Sequence, residues 1–296
     1  MTKSPLILFA FLPAVFALLL SACGESPENP EGGKKVSALK INGSTTVNLP
    51  VAEAAEVMRE RTGKEIQVDT QGGSSGGISM LGEGLVHLGM ASKSLSDEDR
   101  KKFPECDFNE IQIGADAVAL IVSKDVWSGG KTTITKKEMA GIYEGNITNW
   151  NQIGGPDQRI AFFNKEPGRG TWEVFAKWAY GSAGDTPQAS FPEVGGNEET
   201  RNKVASTRGA LSQLSASWAD GKTVFALSVK TEDGKLIKPS GENIATGAYP
   251  MSRPLFVLSD GDPSGDAREM INFLLSIEGQ KIVRKHGYLA LADLSK

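Results

Sequence analysis

Between Ala38 and Ser94 the chain alternates short apolar runs with amphipathic ones, and every strand-to-helix turn is built from glycine and hydroxyl residues. Ala38-Leu39-Lys40-Ile41 spells a strand, Asn42-Gly43-Ser44-Thr45-Thr46 a turn, and Val47 to Arg61 a helix with Val51, Ala54, Ala55 and Met58 on one face. Glu65 to Asp69 alternates as a second strand, Gln71-Gly72-Gly73-Ser74-Ser75-Gly76-Gly77 turns, and Ile78-Ser79-Met80-Leu81 starts a helix. Val86 to Met90 is a third strand running into Ala91-Ser92-Lys93-Ser94, and Ser96-Asp97-Glu98-Asp99 opens a helix with an N-cap and an acidic first turn. This alternation demands an α/β fold with a mainly parallel sheet. Ligands of such folds bind beyond the C-terminal strand ends, where this chain carries Gly, Ser, Thr and Lys.

The first turn of a helix leaves backbone N–H groups unpaired at the positive end of its dipole, so these turns suit phosphate, sulfate or carboxylate. The device recurs downstream. Ile160 to Phe163 is a strand, Asn164-Lys165-Glu166-Pro167-Gly168-Arg169-Gly170-Thr171 a turn, and Trp172 to Tyr180 a helix. Elsewhere Phe108 to Val122 spells a long buried strand, and Thr135 to Tyr143 a helix whose Thr135 and Glu138 form a capping box. Residues 181–200 are loop-rich, and Asn202 to Ser212 has a helical pattern interrupted at Gly209. Val224 to Val229 and Arg253 to Leu258 are strands, and Ala267 to Lys285 is one amphipathic helix. Two anion-suited units in separate lobes would grip a small anion in a cleft.

A length of 296 residues allows two ordinary domains or one large one. The net charge of −4 argues against a nucleic-acid partner and means that an anion must be attracted locally. Residues 1–23 read as an export signal: Lys3 supplies the positive start, Leu6 to Leu20 the apolar run, and Leu20-Ser21-Ala22-Cys23 a lipobox whose Cys23 would be acylated. Residues 24–36 read as a flexible tether. Cys106 is then the only remaining thiol, which leaves no intramolecular disulfide. No metal-ligand spacing and no cofactor motif stands out; Gly129-Gly130-Lys131-Thr132 lacks the earlier glycine of a nucleotide loop, Asp125 standing there.

Lys93, Lys165 and Arg169 sit inside the Gly/Ser/Thr turns and are placed to balance an anion's charge. A carboxylate there, Glu166, is repelled by an anion unless it accepts a hydrogen bond from a protonated one, which would favour phosphate over sulfate. Its alternatives are a cap on the following helix from outside the pocket, or a pair with Lys165 or Arg169. A hydrolase reading takes Gly73-Ser74-Ser75-Gly76-Gly77 as a nucleophile elbow with Ser75 as nucleophile and His286 as base, but His286 equally suits a helix C-terminal cap.

The motifs Gly43 to Val47, Gln71 to Gly77, Leu88 to Lys93, Glu166 to Thr171 and Gly247 to Pro254, with Glu278 to Val283 and Gly287-Tyr288, run in one order over nearly the whole mature chain. As a set they resemble the substrate-binding lipoproteins of bacterial phosphate ABC transporters, the PstS-like family. The resemblance implies a type 2 periplasmic binding protein fold: two α/β lobes with mixed, mainly parallel sheets, joined by crossings at Gly114-Ala115-Asp116 and Tyr249 to Arg253. Lobe 1 would hold 37–114 and 252–296, and lobe 2 would hold 115–251. The implied phosphate ligands are Gly43, Ser44, Thr45 and Thr46; Gly73, Ser74, Ser75 and Gly76; Ser92 and Lys93; and Lys165, Glu166, Gly168, Arg169, Gly170 and Thr171. Lys165 stands for the family's usual Arg and Arg169 for its usual Ser, and Leu211-Ser212-Gln213 replaces its usual Ile-Gly-Tyr turn. These departures leave sulfate or arsenate open as ligands, and a sensing role open beside transport. The implied product is a monomeric, non-enzymatic, lipid-anchored exported protein, without cofactor or metal, that hands phosphate to membrane permease subunits.

Overall fold

The computed structural model describes residues 38–187 and 190–294; the signal segment, Cys23 and the tether fall outside the described residues. In chain order the elements are β1 (Leu39–Gly43), α1 (Asn48–Thr62), β2 (Ile66–Asp69), α2 (Gly73–Gly82), β3 (Leu88–Ala91), α3 (Asp97–Lys102), β4 (Phe108–Ser123), α4 (Lys124–Ser128), β5 (Thr133–Thr135), α5 (Lys136–Tyr143), β6 (Ala161–Lys165), α6 (Gly170–Tyr180), β7 (Glu193–Val194), α7 (Asn197–Ser206), β8 (Ala210–Ser215), β9 (Val224–Ala226), β10 (Ser228–Lys230), β11 (Leu236–Ile237), α8 (Gly241–Ala245), β12 (Ser252–Asp260), α9 (Gly265–Leu275) and α10 (Ile277–Lys285).

The main sheet runs β2-β1-β3-β12-β4-β8-β6-β7, with β9 also on β4; β11-β10-β5 form a second, small sheet. At both ends of the main sheet the pairings are parallel, as strand–helix–strand units require. In its middle β12 and β4 run antiparallel to their neighbours. Strand β4 spans both halves: Phe108 to Ala117 pairs with β12, and Val118 to Ser123 with β8 and β9. The two segments read as crossings therefore lie side by side, Gly114, Ala115 and Asp116 opposite Leu255, Pro254 and Arg253.

The core divides in the same place. One cluster packs Leu39, Ile41, Val51, Met58, Leu88 and Leu255 against Met270, Leu274 and Val283. Another packs Val118, Leu120, Trp150, Phe162, Phe175, Leu211 and Tyr249. The fold is the mixed α/β architecture of type 2 periplasmic binding proteins.

Local rules operate where the sequence declares them. The expected capping box of Thr135 with Glu138 forms, and the expected N-cap at Ser96 is itself a capping box with Asp99. Several expectations need correction. Helices α2 and α6 begin at Gly73 and Gly170, not at Ile78 and Trp172, so their glycines and hydroxyls lie inside the first turns. The helix read over 202–212 is instead α7 at 197–206 followed by β8, whose polar residues are fully buried between β4 and β6. The strand read over 224–229 splits at buried Leu227, where the chain passes from the main sheet to the small one. The helix read over 267–285 breaks at Ser276, whose extended backbone starts α10 and whose hydroxyl accepts from Gly279 N–H.

Helix α2 approaches the sheet more closely than a side chain allows. A Cβ on Gly77 would sit 2.7 Å from Asn42 O, 2.8 Å from Met90 O and 2.9 Å from Gly43 Cα. Gly77→Ala must push α2 off β1 and β3, and we expect a loss of about 1–3 kcal/mol in urea denaturation.

Candidate anion-binding site

The first turns of α2, α6 and α7, and the segment leading into α1, meet at the seam between the two core clusters. They contribute Gly73 and Ser74, Gly170 and Thr171, Asn197, and Ser44 to Thr46, joined by Ser92 from the end of β3 and by Lys165 and Arg169. These residues enclose a cavity of about 10 Å³, the room of a single water. Its walls are hydroxyls, cations and the unpaired N–H groups of helix starts, which is an anion's environment.

Behind the cavity lies a buried ion pair. Arg253 Nη2 is 2.7 Å from Asp116 Oδ2, with side chains 1% and 2% exposed. Arg253 donates through Nε and Nη2 to Asp116, through Nη1 to Ser92 Oγ (3.2 Å) and Thr171 Oγ1 (3.0 Å), and through Nη2 to Thr46 Oγ1 (3.2 Å). All the N–H donors of a guanidinium are thereby used. Arg253 positions hydroxyls rather than reaching into the cavity itself.

The lone-pair count then sets the polarity of those hydroxyls. Thr46 Oγ1 accepts from Arg253 and from Asn197 Nδ2 (3.0 Å), which fills both its lone pairs and leaves its proton to be given away. Ser92 Oγ accepts from Arg253 and from Ser44 Oγ (3.0 Å), which likewise makes it a donor, and its proton has Ser74 Oγ at 3.4 Å as the long partner an anion would replace. Thr171 also accepts from Arg253. The site is thus organised as a set of proton donors, each contributing about 1 kcal/mol to a bound anion and more when charge-assisted.

Two cations lie in the wall. Arg169 is held from outside by Glu166, whose Oε2 accepts from Arg169 Nε at 2.7 Å and from Nη2 at 2.6 Å. Lys165 Nζ donates to Gly195 O, Gly196 O and Thr200 Oγ1, which ties it to the start of α7. Burial, together with Arg169 and Arg253, pushes the Lys165 ammonium well below the ordinary lysine range. An anion beside it would oppose that shift.

The structure brings together Ser44, Thr45, Thr46, Gly73, Ser74, Ser92, Lys165, Arg169, Gly170 and Thr171 of the expected ligands. The others lie outside the cavity lining. Lys93 turns away to Asp99 (2.7 Å) and Glu173 (2.9 Å). Glu166 is taken up by Arg169, so the alternative pairing replaces a contact with the ligand's proton. Ser75 bonds through its N–H to Gly168 O. Gly43 and Gly76 serve close backbone packing, since a Cβ would lie 2.2 Å from Met90 O and 2.1 Å from Gln71 O respectively. Gly168 holds a left-handed turn at φ +85° facing Ser75. The residues missed by sequence reasoning are Arg253, Asp116 and Asn197. The first two stood in view as crossing segments, and only their facing strand positions reveal the pair.

No arrangement for hydrolysis forms around Ser75. His286 Nε2 lies 2.9 Å from Glu53 Oε2 at the end of α10, so its imidazole is taken up by Glu53 and not by Ser75. A larger hollow of about 500 Å³ beside Phe162, Phe163 and Phe191 is walled mainly by apolar groups, with exposed Arg159 and Arg208 at its edge.

A donor-lined cavity at converging helix N-termini, set at the seam of a mixed α/β sheet, defines a solute receptor of the periplasmic-binding-protein class. Residues 27–278 match the PBP superfamily domain. The phosphate-binding protein PstS of Bacillus subtilis is 32% identical over 304 residues, covering 99% of this chain and 96% of that relative. The PstS of Borreliella burgdorferi is 26% identical over 272 residues, covering 89% and 92%. Among solved structures, a substrate-binding protein from Clostridium perfringens with bound phosphate superposes with a TM-score of 0.75 at 28% identity, covering 86% of this chain and 99% of its own. An ABC-type phosphate transport receptor from Vibrio cholerae gives 0.67 at 27%, covering 85% and 99%. The chain belongs to the PstS-like family of the PBP superfamily.

Replacing Arg253 by Met would strand Asp116 as a buried, uncompensated charge. We expect a stability loss of about 3–5 kcal/mol in chemical denaturation, whereas Thr46→Val, which keeps the ion pair but strands one donor each of Arg253 and Asn197, should cost less, about 1–3 kcal/mol.

Proposed function

We propose that this protein captures inorganic phosphate in the cavity behind Ser44–Thr46, Ser74, Ser92 and Thr171 and delivers it to a membrane ABC transporter. The observation that carries this reading is the donor polarity of the site: Arg253 takes one lone pair on each of Thr46, Ser92 and Thr171, and Asn197 and Ser44 take the second on Thr46 and Ser92, which turns these hydroxyls toward donating to an oxyanion. Relatives named as phosphate-binding proteins, one structure with phosphate bound, support the choice of ligand. Lobe 1 is 37–114 with 252–296 and lobe 2 is 115–251. Their joint at the paired crossing strands lets lobe 2 bring Arg169–Thr171 and Asn197 onto an anion held by lobe 1. A cavity as small as the one observed must open to admit phosphate, which requires such a joint. No bond is made or broken; the protein is a carrier rather than an enzyme, and it acts as a monomer.

The exported chain is held at a bacterial membrane through lipid on Cys23, with residues 24–36 as the tether. None of the helices in the described residues is long and apolar enough to cross a membrane, which suits anchoring from outside. A second reading, binding of sulfate or another tetrahedral oxyanion, has one observation in its favour: no carboxylate lines the cavity among the described residues to demand a protonated ligand.

Calorimetric titration of the anion-stripped protein tests both. Saturable one-to-one phosphate binding is expected, and silence toward phosphate with a sulfate signal would overturn the main reading. Because Glu166 faces Arg169 and not the ligand, Glu166→Gln should leave the phosphate-to-sulfate affinity ratio within about threefold of the parent. A carboxylate that accepts a proton from the ligand would be worth about tenfold or more when neutralised.

A further inference from the structure

Lys93 and Glu173 face each other across the seam but outside the anion cavity. Lys93 follows β3 in the first half of the molecule, and Glu173 lies on α6 in the second. Lys93 is buried, and its ammonium bridges Glu173 Oε2 at 2.9 Å and Asp99 Oδ2 at 2.7 Å. Asp99 belongs to α3, on the same side as Lys93, and is fixed there by the Ser96 capping box. Nearby, Ser75 N–H donates to Gly168 O at 3.1 Å, again across the seam. The start of α6 and the turn before it are thus held by two groups of the opposite half.

Glycine at position 170 permits this approach. A Cβ there would stand 2.7 Å from Ser74 Oγ and 2.8 Å from Ser92 Oγ. Burial acts first on both charges. It pushes the Glu173 carboxyl up, while Glu173 and Asp99 more than offset it at Lys93 and hold that ammonium above its usual value. If α6 withdraws, Lys93 keeps Asp99, and Glu173 regains water. The pair with Glu173 therefore exists only when the halves are together.

We propose that Lys93 and Glu173, with the Ser75 N–H bond to Gly168 O beside them, form a clasp that holds the two halves closed over the bound anion, setting its release rate without touching it. The proposal rests on the closure described under the proposed function. It assigns to Lys93 and Ser75 a task different from ligation, and to Glu173 a positioning role.

The charges give the test a sign. Lys93, Asp99 and Glu173 sum to a negative cluster near an anion site, so by field alone removing the charge of Glu173 would tighten phosphate binding. The clasp requires the opposite. In the full-length protein, stopped-flow measurement of Glu173→Gln should show phosphate dissociating about tenfold faster with association little changed, as loss of a partly buried charged contact does. Lys93→Met should also accelerate release, and combined with Glu173→Gln the effects should be less than additive, because both changes remove the same contact. Unchanged or slower release in Glu173→Gln overturns the clasp. If the parent binds no phosphate, the proposed function fails separately. The clasp is then read in ligand-free protein by small-angle X-ray scattering, where Glu173→Gln must be more extended than the parent; equal radii of gyration overturn it.

Discussion

The ion pair between Arg253 and Asp116 is where fold and site become one object. The two residues are register partners on β12 and β4, the neighbouring strands that pass from one half of the molecule to the other. Desolvating both charges is costly, and such a pair persists only when every hydrogen-bonding group around it is used. Here the guanidinium spends two donors on Asp116 and three on hydroxyls from three separate turns. Those turns follow β1, β3 and β6. The pair thus fixes the strand crossing and the orientation of Thr46, Ser92 and Thr171 at the same time.

The electrostatic problem is local. A chain of net charge −4 does not attract anions at long range, yet Lys165 and Arg169 are held against a nearly filled cavity at the starts of three helices. Each cation is kept in place by a group behind it: Glu166 behind Arg169, and the carbonyls of Gly195 and Gly196 behind Lys165. The carboxylates are spent outside the cavity on positioning cations. What faces inward is donors, so an anion of tetrahedral shape supplies the acceptors that the protein lacks there.

Much of this was legible in the sequence, because strand–turn–helix periodicity, capping boxes and Gly/Ser/Thr turns are local signals. The turns at 43–46, 73–76 and 168–171 were found, and most of their hydroxyls do converge. What escaped depends on side-chain direction and on partners far along the chain. Lys93 and Glu166 stand beside cavity-lining residues in sequence, but Lys93 points to Glu173 and Glu166 to Arg169. Asn197 lies in a stretch read as loop, and Arg253, read as the end of a crossing segment and the start of a strand, gains its role only from Asp116 opposite it on β4. Strand β8 was obscured for a related reason: Ser212, Gln213 and Ser215 are polar yet fully buried, with the Gln213 carboxamide bonded to Lys165 N–H and Asn164.

The most direct test of this account is a crystal structure of the protein with phosphate bound. The account predicts the phosphate oxygens within hydrogen-bond distance of the Thr46, Ser92 and Thr171 hydroxyls and of the first-turn N–H groups of α2 and α6. Arg253 should remain on Asp116, and Lys93 and Glu166 should stay out of contact. A phosphate ligated by Lys93 or Glu166, or seated away from the Arg253-bound hydroxyls, would contradict it.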